Sequence, residues 1–347
     1  MRACQKGALL DATEDGEGGK NVFIKRVDRR THPHEIKIAS CLGSAESHRD
    51  RRNHCVPILT VFSDDQDPWY QYIVMPILRP FNEPNFTSFG EVADFVNQTL
   101  EVRLFAISSF SMLNVSHRVS CISTNKMWHI GEWPWRFWWT TGDGECSDCA
   151  AENILMDGSN LYKDDWHPMN TWLARDARDN LRLSRNRSEV EIKYYFIDFG
   201  LSTQFIPGQR EPLVTGELGR IQAPEQIPGS PYDPFKLDVY YLGHVYQTKI
   251  VDVRFTYLLI TSRANLCQQE FKGLEVLRDL ARLMTKPNPR DRPSAHETLT
   301  IWNSLQLLPS IPPGWTRLRP TREEGSIERI MNNALDVVDM VRGSMGL

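Results

Sequence analysis

The chain has 347 residues and a formal net charge of -4, with 41% apolar and 24% charged residues. That length allows one large domain or two ordinary ones, and the composition is that of a globular protein with a real core. The charge balance argues against a nucleic-acid partner, since short basic runs such as Lys25-Arg26 and Arg51-Arg52 read as solvated faces; no stretch approaches the roughly 20 apolar residues of a membrane span.

The first residues, MRACQKGALLDATEDGEGG, lack the apolar core of a signal peptide, so the expected location is intracellular, cytoplasmic with the nucleus left open. The seven cysteines are odd in number and scattered, which reads as reduced, structural or incidental thiols in that compartment. Cys146 and Cys149 form a lone C-x-x-C without the two further ligands that a zinc site needs.

Residues 6–13 and 20–27 read as two strands joined through the turn signal Asp15-Gly16-Glu17-Gly18-Gly19, which predicts a hairpin. In 32–42, Ile36, Ala39 and Leu42 fall near helical spacing. Residues 56–62 and 71–77 read as two more strands. From residue 88 the pattern turns helical: Phe89, Val92, Phe95, Val96 and Leu100 share one face, and 236–249, 268–286 and 293–306 also suit helices. Strands first and helices after predict an α+β chain of two lobes. The last 40 residues carry Pro309, Pro312, Pro313 and Pro320, then a short helix around 326–342, as a tail either docked or loose.

Several segments supply charges suited to phosphoryl transfer, which needs groups to hold phosphates and metal and one to accept a hydroxyl proton. Tyr194-Tyr195-Phe196-Ile197 is an apolar strand ending in Asp198-Phe199-Gly200, where the aspartate can ligate magnesium. Asp148-Cys149-Ala150-Ala151-Glu152-Asn153 gives a D-x-x-x-x-N spacing ahead of another apolar strand. Downstream stand Ala223-Pro224-Glu225, then Asp238-Val239-Tyr240-Tyr241-Leu242-Gly243, then Arg292-Pro293-Ser294. In the first part, Phe23-Ile24-Lys25 lies within the strand over 20–27 and Glu35 on the next helix. Each segment has a bland reading as strand, turn or surface charge; chance explains the whole order poorly.

In that order the chain resembles the protein kinase superfamily across roughly residues 7–306. Asn53-His54-Cys55-Val56-Pro57-Ile58-Leu59, the run from Ile73 to Phe81 and Tyr232-Asp233-Pro234-Phe235-Lys236 resemble a divergent fungal group of it. The resemblance implies a two-lobed α+β fold, with a strand-rich N-lobe over 1–78, a larger helical C-lobe over 79–310 and a tail over 311–347. It implies ATP and Mg²⁺ as cofactors and a protein hydroxyl, of unknown identity, as acceptor. Asp148 would be the catalytic base, Asn153 and Asp198 the metal ligands, Lys25 the phosphate contact and Glu35 its partner. Met75 would be the gatekeeper, 76–78 with Leu78 the adenine hinge, and Gly7 the remnant of the phosphate loop. Glu225 would pair with Arg292, and Asp238 would brace the catalytic loop.

Three departures accompany the resemblance. The earlier glycines of the phosphate loop would lie before Met1. His117-Arg118 is separated from Asp148 by residues 119–147, which hold five of the ten tryptophans and show neither helical nor strand period. Removing them would restore H-R-D-x-x-x-x-N, so 119–147 reads as an insertion, as an unspliced intron or as a partner-binding loop. Ala150 stands where serine/threonine kinases carry lysine, and 154–193 makes a long connection, read as an extended, mobile loop. Thr215 is the nearest candidate phosphosite. The alternatives to an active kinase are a pseudokinase scaffold, a fragmentary product, and a small-molecule kinase, against which Ala223-Pro224-Glu225 argues.

Overall fold

One apolar face of a short sheet must be covered, and that requirement organises the first lobe. A computed structural model of the chain describes residues 9–13, 20–112, 136–139, 149–168, 170–200, 202–205, 213–215, 221–257 and 265–320, with Asn333, Leu335, Val337 and Met340. The first lobe comprises β1 (Leu9–Thr13), β2 (Asn21–Asp28), α1 (Glu35–Leu42), β3 (Thr60–Ser63) and β4 (Tyr70–Pro76). The strands form an antiparallel sheet in the order β1-β2-β4-β3. The register sets Lys25 opposite Leu9 on one side and Ile73 on the other, and Phe23 opposite Met75. Helix α1 contributes Ile38, Ala39 and Leu42 to the same core as Val27 and Ile73.

The expected hairpin is present in β1 and β2. The strand expected over 56–62 begins only at Thr60. Its first residues serve another purpose: Cys55 bridges Phe196 in parallel, and Val56 N–H donates to the Phe196 carbonyl at 3.0 Å, tying the first lobe to the second.

The second lobe runs through β5 (Arg79–Pro80), α2 (Phe89–Met112), β6 (Arg136–Trp139), β7 (Ile154–Met156), β8 (Tyr194–Phe196), β9 (Ser202–Phe205) and α3 (Pro234–Tyr246). A π-turn, Gln247–Val251, leads to β10 (Asp252–Tyr257), β11 (Asn265–Lys272), α4 (Glu275–Met284), α5 (Ala295–Gln306) and β12 (Arg319–Pro320). Phe89, Val92, Phe95, Val96 and Leu100 of α2 are all buried, as their spacing predicts. Helix α3 starts where Asp233 accepts from Phe235 N–H at 2.8 Å, with Pro234 at its first turn. Helix α5 starts on a capping box of Ser294 and Glu297.

The helix expected over 268–286 is shorter. Residues up to Lys272 form β11, paired with β10 through Glu270 and with β12 at Phe271 and Lys272, and the helix begins only at Glu275. The segment 119–147 lies outside the described residues except for Arg136–Trp139. That stretch forms a strand paired with β9, although no strand period is visible there; four residues, two of them tryptophan and one phenylalanine, suit a strand and are too few to show an alternation. Of the tail helix, only Asn333, Leu335, Val337 and Met340 are described, as helical.

The connection between β7 and β8 is packed against the lobe. It carries bridges Tyr162 to Leu183, Trp166 to Ala174 and Leu173 to Asn180, and buries Leu161, Trp166, Arg187 and Ile192. It also reaches the first lobe, where Asn21 donates to Asp165 and Arg175 lies 3.5 Å from Asp11. The chain is therefore an α+β protein of two lobes, strand-rich and then helical. Among the described residues, no helix is long and apolar enough to cross a membrane.

Candidate active site

Lys25 sits near the middle of β2, and sheet alternation directs its side chain toward α1 and the second lobe. Its Nζ donates to Glu35 Oε1 at 2.5 Å and to Asp198 Oδ1 at 2.6 Å. One ammonium thus joins a strand, a helix and the turn after β8. Glu35 lies on the first turn of α1 and is 2% exposed; Asp198 is about a third exposed, at 36%. Burial works against the Lys25 charge, but Asp198 and Glu35 outweigh it and raise its pKa. Burial likewise opposes ionised Asp198, yet Lys25 and the Gly200 N–H hold its pKa below the usual range. For Glu35 burial wins over Lys25, and its pKa is raised. Glu35 Oε2 is buried without a hydrogen-bond partner.

Asp198 adopts φ 65°, a left-handed conformation that is uncommon for residues other than glycine and best tolerated by Asn and Asp. Such backbone outliers cluster at functional sites, where surrounding contacts hold them. Here the holding contacts are Lys25 and the Gly200 N–H, which donates back to Asp198 Oδ1 at 3.2 Å.

Asn153 ends a short 3₁₀ turn and is buried. Its carbonyl accepts from Ile197 N–H at 3.0 Å, and β7 and β8 pair Ile154 with Phe196. This register places Asn153 one residue from Asp198 along the paired strands. Met75 is buried near the end of β4, and Leu78 is buried just after it. Gly7 and Asp148 lie outside the described residues. Cys149 is buried and donates to Asp238 Oδ1 at 3.8 Å, so Asp238 faces the segment that leads into Asn153. Glu225 and Arg292 form the expected pair, bidentate at 2.5 and 2.7 Å.

The donor set fits magnesium. Lys25 and the Gly200 N–H both meet Asp198 at Oδ1, so the carboxylate has a second oxygen to offer a cation, and the strand register sets Asn153, an amide residue, beside it. Hard oxygen ligands from one or two side chains, completed by phosphate and water, are what Mg²⁺ takes. Among the described residues, no group of three or more His, Cys, Asp or Glu is placed to hold a metal.

Three polar residues with buried or cross-lobe contacts escape sequence reasoning, and of them His32 meets the site. His32 precedes α1, and its Nδ1 lies 2.9 Å from the Gly200 carbonyl. Arg79, fully buried just past Leu78, donates to the Thr171 carbonyl at 2.7 Å and lies over Tyr162 and Trp166. Arg187 donates to the Phe81 and Pro84 carbonyls and to the Tyr194 hydroxyl. Arg79 did carry a signal, an arginine inside an apolar run beside a proline. The other two did not.

The two-lobed α+β fold, with Lys25, Glu35 and Asp198 joined between its lobes, is consistent with a kinase-like arrangement, and similarity to part of a known kinase points to the same relationship. The chain is 34% identical over 127 residues to sperm motility kinase 2B of Mus musculus, a match covering 32% of this chain and 24% of the relative. The chain thus spans about a quarter of the length of the curated relative it matches. No protein-family model matches the chain.

Proposed function

We propose that the chain is a protein kinase-like phosphotransferase that moves the γ-phosphate of ATP to a protein hydroxyl. The observation carrying this reading is the Lys25 ammonium shared between Glu35 and Asp198. A lysine held by a buried glutamate is aimed and charged for nucleotide phosphates, and the aspartate beside it suits a cation bridging those phosphates. Asp198 and Asn153 would hold Mg²⁺, which when bound neutralises charge developing on the phosphates. Asp148 would accept the proton of the acceptor hydroxyl as its oxygen bonds to the γ-phosphorus and the bond to the β-phosphate oxygen breaks. Met75 and Leu78, on the strand and hinge joining the lobes, would flank the adenine.

A second reading, a nucleotide- or partner-binding scaffold without turnover, draws on the separation of His117-Arg118 from Asp148 and on β6. That strand pairs with β9 directly after Asp198-Phe199-Gly200.

Thermal shift with ATP and Mg²⁺ tests the reading. At a ligand concentration 100-fold above Kd, binding contributes about 2.7 kcal/mol, or about 4 °C for a chain of this size. The shift is expected to require Mg²⁺ and to vanish in Asp198→Ala, after which radiolabelled phosphate transfer to a general protein acceptor separates enzyme from scaffold. No shift in the folded wild-type chain would retire the nucleotide reading.

A further inference from the structure

His32 lies in the loop between β2 and α1, and its backbone begins the helix: its N–H donates to the Asp28 carbonyl at 2.9 Å, and its own carbonyl accepts from Glu35 N–H at 3.4 Å. The imidazole is half-buried and turns toward the second lobe, where Nδ1 stands 2.9 Å from the Gly200 carbonyl oxygen. A carbonyl only accepts, so Nδ1 must carry the hydrogen. The contact therefore ties the start of α1 to the backbone of the Asp198-Phe199-Gly200 turn.

Gly200 is the meeting point of all the groups concerned. A Cβ there would stand 3.1 Å from Glu35 Oε2, 3.2 Å from Asp198 Oδ1 and 3.2 Å from His32 Nδ1. Lys25 links Glu35 and Asp198 through side chains; His32 links the same helix and the same turn through the backbone. Two links at different points fix a relative orientation that one flexible lysine cannot fix alone. The second link acts two residues beyond the strained Asp198 φ, on the same tight turn, where a small shift of the backbone would re-aim the carboxylate.

We propose that His32 is a positioning residue that clamps the Gly200 carbonyl to the start of α1, so that the helix bearing Glu35 and the turn bearing Asp198 set the Mg²⁺ site as one unit. The metal part of this inference rests on the phosphotransfer reading; the clamp itself does not. Asparagine puts an amide N–H where histidine has Nδ1, whereas glutamine puts it at the position of Nε2, so the two substitutions separate a directed hydrogen bond from side-chain bulk.

The experiment compares the full chain with His32→Ala, His32→Asn and His32→Gln by two readouts. Without nucleotide, hydrogen–deuterium exchange is followed over 35–42 and 197–200. His32→Ala is expected to speed exchange in both segments by about fivefold, the size of one net hydrogen bond, with Asn restoring both and Gln neither. With ATP, the Mg²⁺ concentration giving half the thermal shift is expected to rise by about the same factor in His32→Ala and to return in His32→Asn. Exchange unchanged in either segment, or Asn no better than Gln, would overturn the clamp. If the wild-type chain shows no ATP shift, the phosphotransfer reading falls while the exchange comparison still decides the role of His32.

Discussion

Two carboxylates each hold a cation here, and water access separates what each contributes. The Glu225 side chain is 9% exposed and its partner Arg292 fully buried; the guanidinium also donates to the carbonyls of Lys286, Lys236 and Pro287 and lies over the Tyr240 ring. With Glu225 gone, the arginine keeps its carbonyls but remains a buried charge without a counter-ion. Glu225→Ala is therefore expected to destabilise the chain by about 3–5 kcal/mol. Asp198, a third exposed, is in a different position, since solvent can take over from it around Lys25, which keeps Glu35. Asp198→Ala is expected to change stability by no more than about 1 kcal/mol while removing the Mg²⁺-dependent response. Urea midpoints of the two variants check the contrast: similar losses in both would mean that Asp198 is structural first. The A-P-E glutamate would then not differ in kind from the D-F-G aspartate.

Docking of the tail depends on one close approach between backbones. Thr87, Phe89 and Gly90 lie at the entry to α2, whose first N–H groups have no partners inside the helix. The tail supplies them: Phe89 N–H donates to the Thr316 carbonyl at 2.9 Å and Gly90 N–H to the Gly314 carbonyl at 2.8 Å. Leu318 N–H donates back to the Thr87 carbonyl at 2.9 Å. A Cβ on Gly90 would stand 2.7 Å from the Gly314 oxygen, whereas one on Gly314 would meet only the Gly90 Cα, at 3.6 Å. Gly90→Ala is expected to undock residues 311–320 at a cost of about 1–3 kcal/mol, with faster hydrogen exchange at 314–318, and Gly314→Ala to leave both nearly unchanged. Equal effects from the two substitutions would remove the asymmetry on which the expectation rests.

The same element shows what a sequence can and cannot disclose. The prolines announce the tail, but nothing in them says that it caps a helix more than 200 residues upstream. Period carried α2 and β2 well, because each covers one broad apolar face. It misplaced the start of α4 because Gln268–Lys272 obey strand partners, β10 and then β12, and it overextended β3 because residues 55 and 56 obey Phe196. At the site, Lys25, Glu35 and Asp198 were legible as types at family spacing. His32 was not, because its role lies in a contact 168 residues away along the chain.

At the scale of the whole molecule, the open question is whether residues 119–147 belong to the working protein. Two physical effects oppose each other. Keeping the segment gives β9 a partner, since Arg136–Trp139 pairs with Ser202–Phe205 just beyond Gly200. Removing it joins His117-Arg118 to Asp148 and takes away five tryptophans, which as exposed surface would favour association. A four-residue pairing contributes at most a few hydrogen bonds of about 1 kcal/mol each. It also stands just beyond Asp198, where a strand held against β9 restrains the segment that follows that residue. The restored H-R-D-x-x-x-x-N run would instead let Asp148 enter from the loop braced by Cys149 and Asp238. The 119–147 deletion is accordingly expected to lower the melting temperature by no more than about 3 °C, given those few hydrogen bonds and the size of the chain. It is expected to aggregate less and to give an Mg²⁺-ATP shift at least as large as that of the full chain. A deletion that unfolds, or that loses a shift present in the full chain, would make β6 part of the fold and the segment a genuine element. Sequencing the mature transcript addresses the same point from the other side: an RNA that encodes all 29 residues would end the unspliced-intron reading and turn the pairing of β6 with β9 into a feature of the native protein.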